Sequence, residues 1–265
     1  MEMMLPSLHE GGYTRGGRIL TVTIQLDYEA GEPEDDVLSQ FPDNELLTIT
    51  RVERQQRSDH RYILHFGMIS LSIHEDIMIK YRMISGNAFT KEDLRQIVLA
   101  DERQRAYVEG LRYLERKPRT GMEMARRLRQ KEIGEAIVGE VLERLRRERL
   151  IDDTQYAKQW AEQRITGHRK GRLWVRHELR GKGVDKSVIE GALEGISPEQ
   201  ERQSALELGR KKWSAIRGEA SDKRRKTGAY LMRRGFSGEI VRSVLQSLRQ
   251  DGDMDGAEDG FCEFD

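Results

Sequence analysis

The chain has 265 residues, 35% of them charged and only 6% aromatic, which allows one or two domains with small cores beneath a large polar surface. A single cysteine, Cys262, excludes an internal disulfide framework and fits a reducing compartment; no run approaches 18 apolar residues and the N-terminus has no basic region followed by an apolar core, so neither a membrane span nor a secretory leader is expected. The formal charge of zero hides an asymmetry: residues 1–100 carry 10 bases and 16 acids, residues 101–250 carry 36 and 23, and residues 251–265 carry seven acids and no base. The basic middle points to an anionic partner.

Residues 1–45 read as a leader rich in glycine at Gly11, Gly12, Gly16 and Gly17, with one strand candidate at Arg18–Leu26 (RILTVTIQL) and an acidic loop from Asp27 to Glu45. Residues 46–100 predict a small β-rich domain ending in a helix. Its strand candidates are Leu46–Glu53, Tyr62–Phe66 and Met68–Ile73, joined through turns at His60 and Gly67 into an antiparallel sheet. His74–Tyr81 suits either a short helix or a further strand. Thr90-Lys91-Glu92-Asp93 outlines a capping box with Asp93 in the usual Glu or Gln place, opening a helix that carries Leu94, Ile97 and Val98 toward Asp101 and beyond.

The remainder is a three-fold repeat. Leu128–Leu145 (LRQKEIGEAIVGEVLERL) returns as Leu179–Ile196 (LRGKGVDKSVIEGALEGI) and as Leu231–Leu248 (LMRRGFSGEIVRSVLQSL), at offsets of 51 and 52. Seven positions are apolar in all three copies, from Leu128/Leu179/Leu231 to Leu145/Ile196/Leu248, and the last five lie on one helix face. Gly183 and Gly235 stop a preceding helix, Asp185 and Ser237 cap the next, and Thr120–Glu123 and Ser197–Gln200 are helix starts. Each copy is a three-helix unit. The boundaries are 101–150, 151–196 and 197–249, with an acidic disordered tail at 250–265. The expected fold is mainly α: three tandem three-helix repeats in an elongated curved array, preceded by the small β-rich N-terminal domain.

No catalytic constellation, metal-ligand spacing or cofactor motif is present; the six histidines are scattered and paired carboxylates such as Asp152-Asp153 suit helix capping. Asp251–Gly256 matches only the first half of a calcium loop, with Cys262 where the bidentate Glu should stand, and reads as solvated tail. The informative residues are the cations of each second helix. Lys131, Lys182 and Arg234 share one position; Arg129 and Arg180 share another, which Met232 breaks; Arg126, Arg127, Arg176 and Arg233 add to the same helices. These nine are the candidate binding residues. Cations near a helix C-terminus also stabilise its dipole, and Trp160, Trp174 and Trp213 suit packing better than base stacking.

With these residues in view the chain resembles the RecX regulatory proteins. The resemblance covers about 104–249 and rests on Gly110–Thr120 (GLRYLERKPRT), Arg127–Lys131 (RLRQK), Leu150-Ile151-Asp152-Asp153 with Tyr156-Ala157, and Val175–Gly183 (VRHELRGKG). Residues 47–98 are similar to the strand-rich extension of longer members from Gram-positive bacteria. The resemblance implies a cytoplasmic, non-enzymatic, monomeric regulator without cofactor. Its partners would be the RecA recombinase filament and single-stranded DNA, with weaker duplex binding and no membrane. Such proteins lie in the filament groove, inhibit filament growth, ATP hydrolysis and strand exchange, and so damp recombination and the SOS response. The alternative reading is a helix-turn-helix-like transcription regulator binding duplex DNA directly.

Overall fold

A computed structural model describes residues 38–258 apart from 57 and 59, with side chains as far as 250. The strand candidate at Arg18–Leu26 lies outside the described residues. The chain divides into two compact units, the first ending at Gln104 and the second starting at Arg105.

In the first unit, β1 (Leu47–Thr48), β2 (Arg51–Arg54), β3 (Arg61–Phe66) and β4 (Ile69–His74) are followed by α1 (Glu75–Lys80) and β5 (Ala88–Phe89). β3 is the centre of a three-stranded antiparallel sheet in the order β2-β3-β4, with Gly67 at φ +68° opening the two-residue turn between β3 and β4. The strand expected over Leu46–Glu53 is two strands. The chain changes partner between them: Ile49 exchanges backbone hydrogen bonds with Gly86 and Asn87, and Thr50 N–H turns to the carbonyl of His65. β1 therefore pairs with β5 and β2 with β3. Beyond β4 the helical alternative is the one adopted, because His74 Nδ1 accepts the Asp76 N–H and caps α1. Leu38, Ile49, Leu64, Leu71, Ile73, Met83 and Leu94 fill the core of this unit. At its margin Arg61 pairs with Asp101 at 2.9 Å, while the other Asp101 oxygen accepts the His74 N–H at 2.7 Å. Both charges are thus hydrogen-bonded as well as paired, as burial demands.

α2 (Lys91–Glu115) begins with the reciprocal Thr90–Asp93 bonds anticipated from the sequence. No proline interrupts it, and it passes without a break through the expected domain edge at residue 100. The second unit takes the C-terminal part of α2 with α3 (Gly121–Arg129) and α4 (Glu135–Arg147) as the first repeat. α5 (Asp153–Glu162), α6 (Arg172–Gly181) and α7 (Lys186–Glu194) form the second, with a π-helical turn over Gln163–Gly167 after α5. The third comprises α8 (Pro198–Ala215), α9 (Ala220–Arg233) and α10 (Gly238–Glu258). All seven shared apolar positions are buried or half-buried in every copy, with Leu128, Leu179 and Leu231 at 0% exposure. Each such leucine contributes on the order of 2 kcal/mol by leaving water.

The turn after each second helix is one motif used three times. Glu132, Gly183 and Gly235 occupy the left-handed region at φ +60°, +75° and +88°. Their N–H groups donate to Arg129, Arg180 and Met232, and those of Ile133, Val184 and Phe236 reach back to Leu128, Leu179 and Leu231. This pairing satisfies the last carbonyls and buries one apolar residue on another. Only the first copy lacks glycine at the left-handed position, where an L side chain costs about 1 kcal/mol. Glu132→Gly is therefore expected to stabilise the first repeat by about 0.5–1 kcal/mol, read as a higher urea midpoint with an unchanged slope.

The third repeat departs from the other two at its second helix, and from the expected disordered tail at its third. α9 starts at Ala220, a full turn before Arg224, the residue aligned with the helix starts Gly121 and Arg172. α10 runs on to Glu258, so the segment from 250 to 258 is helical rather than disordered. It contains no proline, and Met254, Ala257 and Glu258 favour helix. The half-match to a calcium loop is accordingly helical backbone, not a loop.

Candidate functional site

The second helices meet end to end. The C-terminal turn of α6 sits on the N-terminus of α3, and that of α9 sits on the N-terminus of α6. At the first junction Thr120 Oγ1 donates to the Lys182 carbonyl at 2.6 Å, and the Gly121 N–H donates to Asp153 Oδ1 at 2.9 Å. At the second, Gly171 and Leu173 donate N–H groups to the Arg234 and Gly235 carbonyls at 3.0 and 3.1 Å. The Arg172 N–H donates to Glu201 Oε1 at 2.8 Å. In both cases an acidic residue from the first helix of one repeat satisfies a first-turn amide in the second helix of the repeat before it. Glycine lets the backbones close: a Cβ on Gly183 would lie 2.3 Å from Met122 Cβ, and one on Gly235 would lie 2.5 Å from the backbone nitrogen of Trp174.

These junctions divide the nine candidate cations. Lys182 donates from Nζ to Glu123 at 2.9 Å and lies 4.5 Å from the Trp160 ring centre. Burial would lower the Lys182 pKa, but the bonds to Glu123 and Tyr156 outweigh it and hold the ammonium above its ordinary range. Arg234 donates to the His168 carbonyl at 3.0 Å. Arg127 grips Glu109 at 2.9 and 2.6 Å, Arg176 grips Glu190 at 2.8 and 2.7 Å, and Arg129 grips Glu135 at 2.8 and 2.5 Å. The position shared by Lys131, Lys182 and Arg234 is therefore a junction position in two repeats. Arg126, Lys131, Arg180 and Arg233 remain exposed, with no ion pair among the described residues.

Trp160 and Trp213 pack against the cores of their repeats, as expected, while Trp174 stands among the exposed residues. Trp160 stacks on Tyr156 at 5.6 Å between ring centres, and its indole N–H donates to Glu178. Trp174 is 38% exposed but its backbone supports Gly235, with Lys170 Nζ 3.5 Å from the ring centre. No group of three metal-ligating side chains occurs among the described residues, and no helix there is long and apolar enough to cross a membrane.

Sequence reasoning missed a cavity of about 570 Å³ in the third repeat, lined in part by Trp213, Ser221, Arg224, Arg242, Leu245 and Arg249. The signal available was the alignment of Arg224 with Arg172, although the partner of Arg172 is visible only in three dimensions.

Family models for the first, second and third three-helix domains of RecX match residues 106–145, 152–193 and 199–245. Regulatory protein RecX of Bacillus cereus (strain B4264) and that of Bacillus thuringiensis (strain Al Hakam) are each 30% identical over 214 residues, 78% of this chain and 79% of theirs. This chain belongs to the RecX family. A crystal structure of a regulatory protein RecX superposes with a TM-score of 0.63 at 28% identity, covering 74% of this chain and 98% of the other. RecX from Lactobacillus salivarius gives 0.54 at 27% identity, covering 57% and 99%. The three RecX domains matched are the three repeats whose second helices meet at the junctions, and a regulatory protein is what the RecX relatives are named.

Proposed function

We propose that this RecX-family chain regulates a RecA recombinase by binding the RecA filament on single-stranded DNA through its second helices, and that it inhibits filament growth, ATP hydrolysis and strand exchange. In this reading the protein acts in the cytoplasm as a monomer, without cofactor or catalysis, and the strand-bearing domain at 46–100 adjusts affinity or orientation. The observation that supports it is the quartet Arg126, Lys131, Arg180 and Arg233. One or two exposed cations stand near the end of each second helix, unsatisfied by any carboxylate of the described chain. Three linked modules, each binding weakly, act together at a high effective concentration along a repetitive partner.

The test is the single-stranded-DNA-dependent ATP hydrolysis of RecA with this protein titrated in. Loss of turnover at amounts well below one chain per RecA is the expected result; no effect, with tight binding to one duplex sequence instead, would favour a transcription regulator. Replacing Arg126, Lys131, Arg180 and Arg233 together by Gln should weaken filament binding and flatten its salt dependence, by up to about 0.7 in logarithmic slope for each phosphate no longer neutralised. The circular dichroism should stay unchanged, since these four side chains hold no junction together. An unaltered salt slope would assign them to the solvated surface.

A further inference from the structure

The repeat supplies its own precedent for what the cavity of the third unit binds. Gly121, Arg172 and Arg224 are equivalent positions in the three copies. At the first, the backbone N–H holds the Asp153 carboxylate at 2.9 Å. At the second, the backbone N–H holds the Glu201 carboxylate at 2.8 Å, and the Arg172 guanidinium approaches the other oxygen to 3.0 Å. The same place in the fold is thus twice an anion site. At the third copy α9 begins a turn earlier, so the amide of Arg224 lies inside the helix and the side chain is the group left to hold an anion. No carboxylate among the described residues pairs with Arg224.

The surroundings differ in the same direction. Arg224 and Arg242 line the 570 Å³ cavity, and none of its lining residues among the described ones is acidic. The residue aligned with Arg242 in the second repeat is Glu190, and in the first it is Gly139, so this arginine is particular to the third repeat. Arg242 Nε is anchored on the Gly238 carbonyl at 3.2 Å, which fixes where its guanidinium stands. Trp213 forms another wall, and the first turn of α9 contributes Ala220 and Ser221 while its N-cap Glu219 makes no side-chain capping bond.

We propose that this cavity is a nucleotide-binding site, with phosphate held by Arg224 and Arg242 and the base laid against Trp213. Two arginines exceed what a single carboxylate would neutralise, whereas the oxygens of a phosphate suit both guanidinium groups at once. The indole wall adds a surface on which any base stacks. The volume lies within the range of small-ligand sites. The nucleotide is either a unit of a single strand or a free nucleoside triphosphate, since both present the same chemistry.

The experiment uses the full chain with Trp160→Phe and Trp174→Phe, so that Trp213 alone reports. A short oligodeoxythymidylate and free ATP are titrated separately, without recombinase, so the result stands apart from the filament reading. Saturable quenching is expected, weakened about ten-fold by Arg224→Gln and again by Arg242→Gln. Quenching by the oligonucleotide alone assigns a strand, and quenching by ATP assigns a free nucleotide. Quenching by neither, or quenching that both arginine variants leave intact, overturns the proposal, as does quenching by a poly-glutamate peptide alone.

Discussion

Gly171→Ala is expected to uncouple the third repeat from the second. Gly171 has φ −78° and ψ 160°, which alanine adopts without strain, so the backbone itself raises no objection. The obstacle is space: the added Cβ would lie 2.1 Å from the Gly235 carbonyl oxygen and 2.3 Å from the Phe236 nitrogen. Those are backbone atoms held by the turn that ends α9, and they cannot swing aside as a side-chain tip would. The repeats must separate, breaking the Gly171–Arg234 and Leu173–Gly235 hydrogen bonds. A loss of about 3 kcal/mol is expected, at the upper end of ordinary overpacking. Urea unfolding followed by Trp213 and by Trp160 should then show two midpoints where the parent shows one. Gly181→Ala is the control, because nothing lies within 4 Å of its added methyl and it should be neutral or stabilising. Coincident transitions at the parent midpoint would refute the role given to Gly171.

The second large effect centres on Glu201, which is 3% exposed. Its removal leaves the first turn of α6 without its acceptor and the Arg172 guanidinium without its counter-charge. Glu201→Ala should cost about 2–3 kcal/mol, below the full value for a broken buried pair because Arg172 is partly exposed. Glu201→Gln keeps an oxygen for the Arg172 N–H and should cost about 1 kcal/mol. The two variants also separate by pH. Burial pushes the Glu201 carboxyl above the ordinary glutamate range, and the Arg172 N–H and guanidinium only partly offset it. The folded chain therefore takes up this proton more readily than the unfolded chain. The stability linked to it is complete below the unfolded value near 4.5 and is lost as pH rises through the raised folded value. Glu201→Gln has no such proton and should remove that part of the pH profile. An identical profile in parent and variant would show that Glu201 does not titrate differently in the two states.

Local order was legible wherever cause and effect lie within a few residues. Thr120–Glu123 and Ser197–Gln200 form the capping boxes their spacing announces, and Gly183 and Gly235 take the left-handed turns. The seven shared apolar positions mark the core because each helix buries one stripe. The junctions were not legible: Lys182 meets Glu123 from 59 residues away, and nothing in either segment names the other. Lys182 and Arg234 thus look like surface cations in the sequence and act as junction residues in the fold. Lys131 shares their position and is exposed, so equivalence of position did not carry equivalence of role. The break of one strand candidate at Ile49–Thr50 was hidden for the same reason, since it depends on which distant partner each half finds.

The end-to-end arrangement of the second helices gives the repeats a polarity. Read from amino to carboxyl end, α9 leads into α6 and α6 into α3, so each joint sets the negative end of one helix dipole against the positive end of the next. Reversing the row does not reproduce it, because each joint sets a carboxyl-terminal turn against an amino-terminal one. A ligand that itself has a direction, as a nucleic-acid strand does, can be laid along such a row in two inequivalent ways. One setting brings the cavity beside Arg224 to the leading end and Lys131 to the trailing end; the other exchanges them. If the repeats bind a filament as proposed, this polarity would let them tell one end of it from the other.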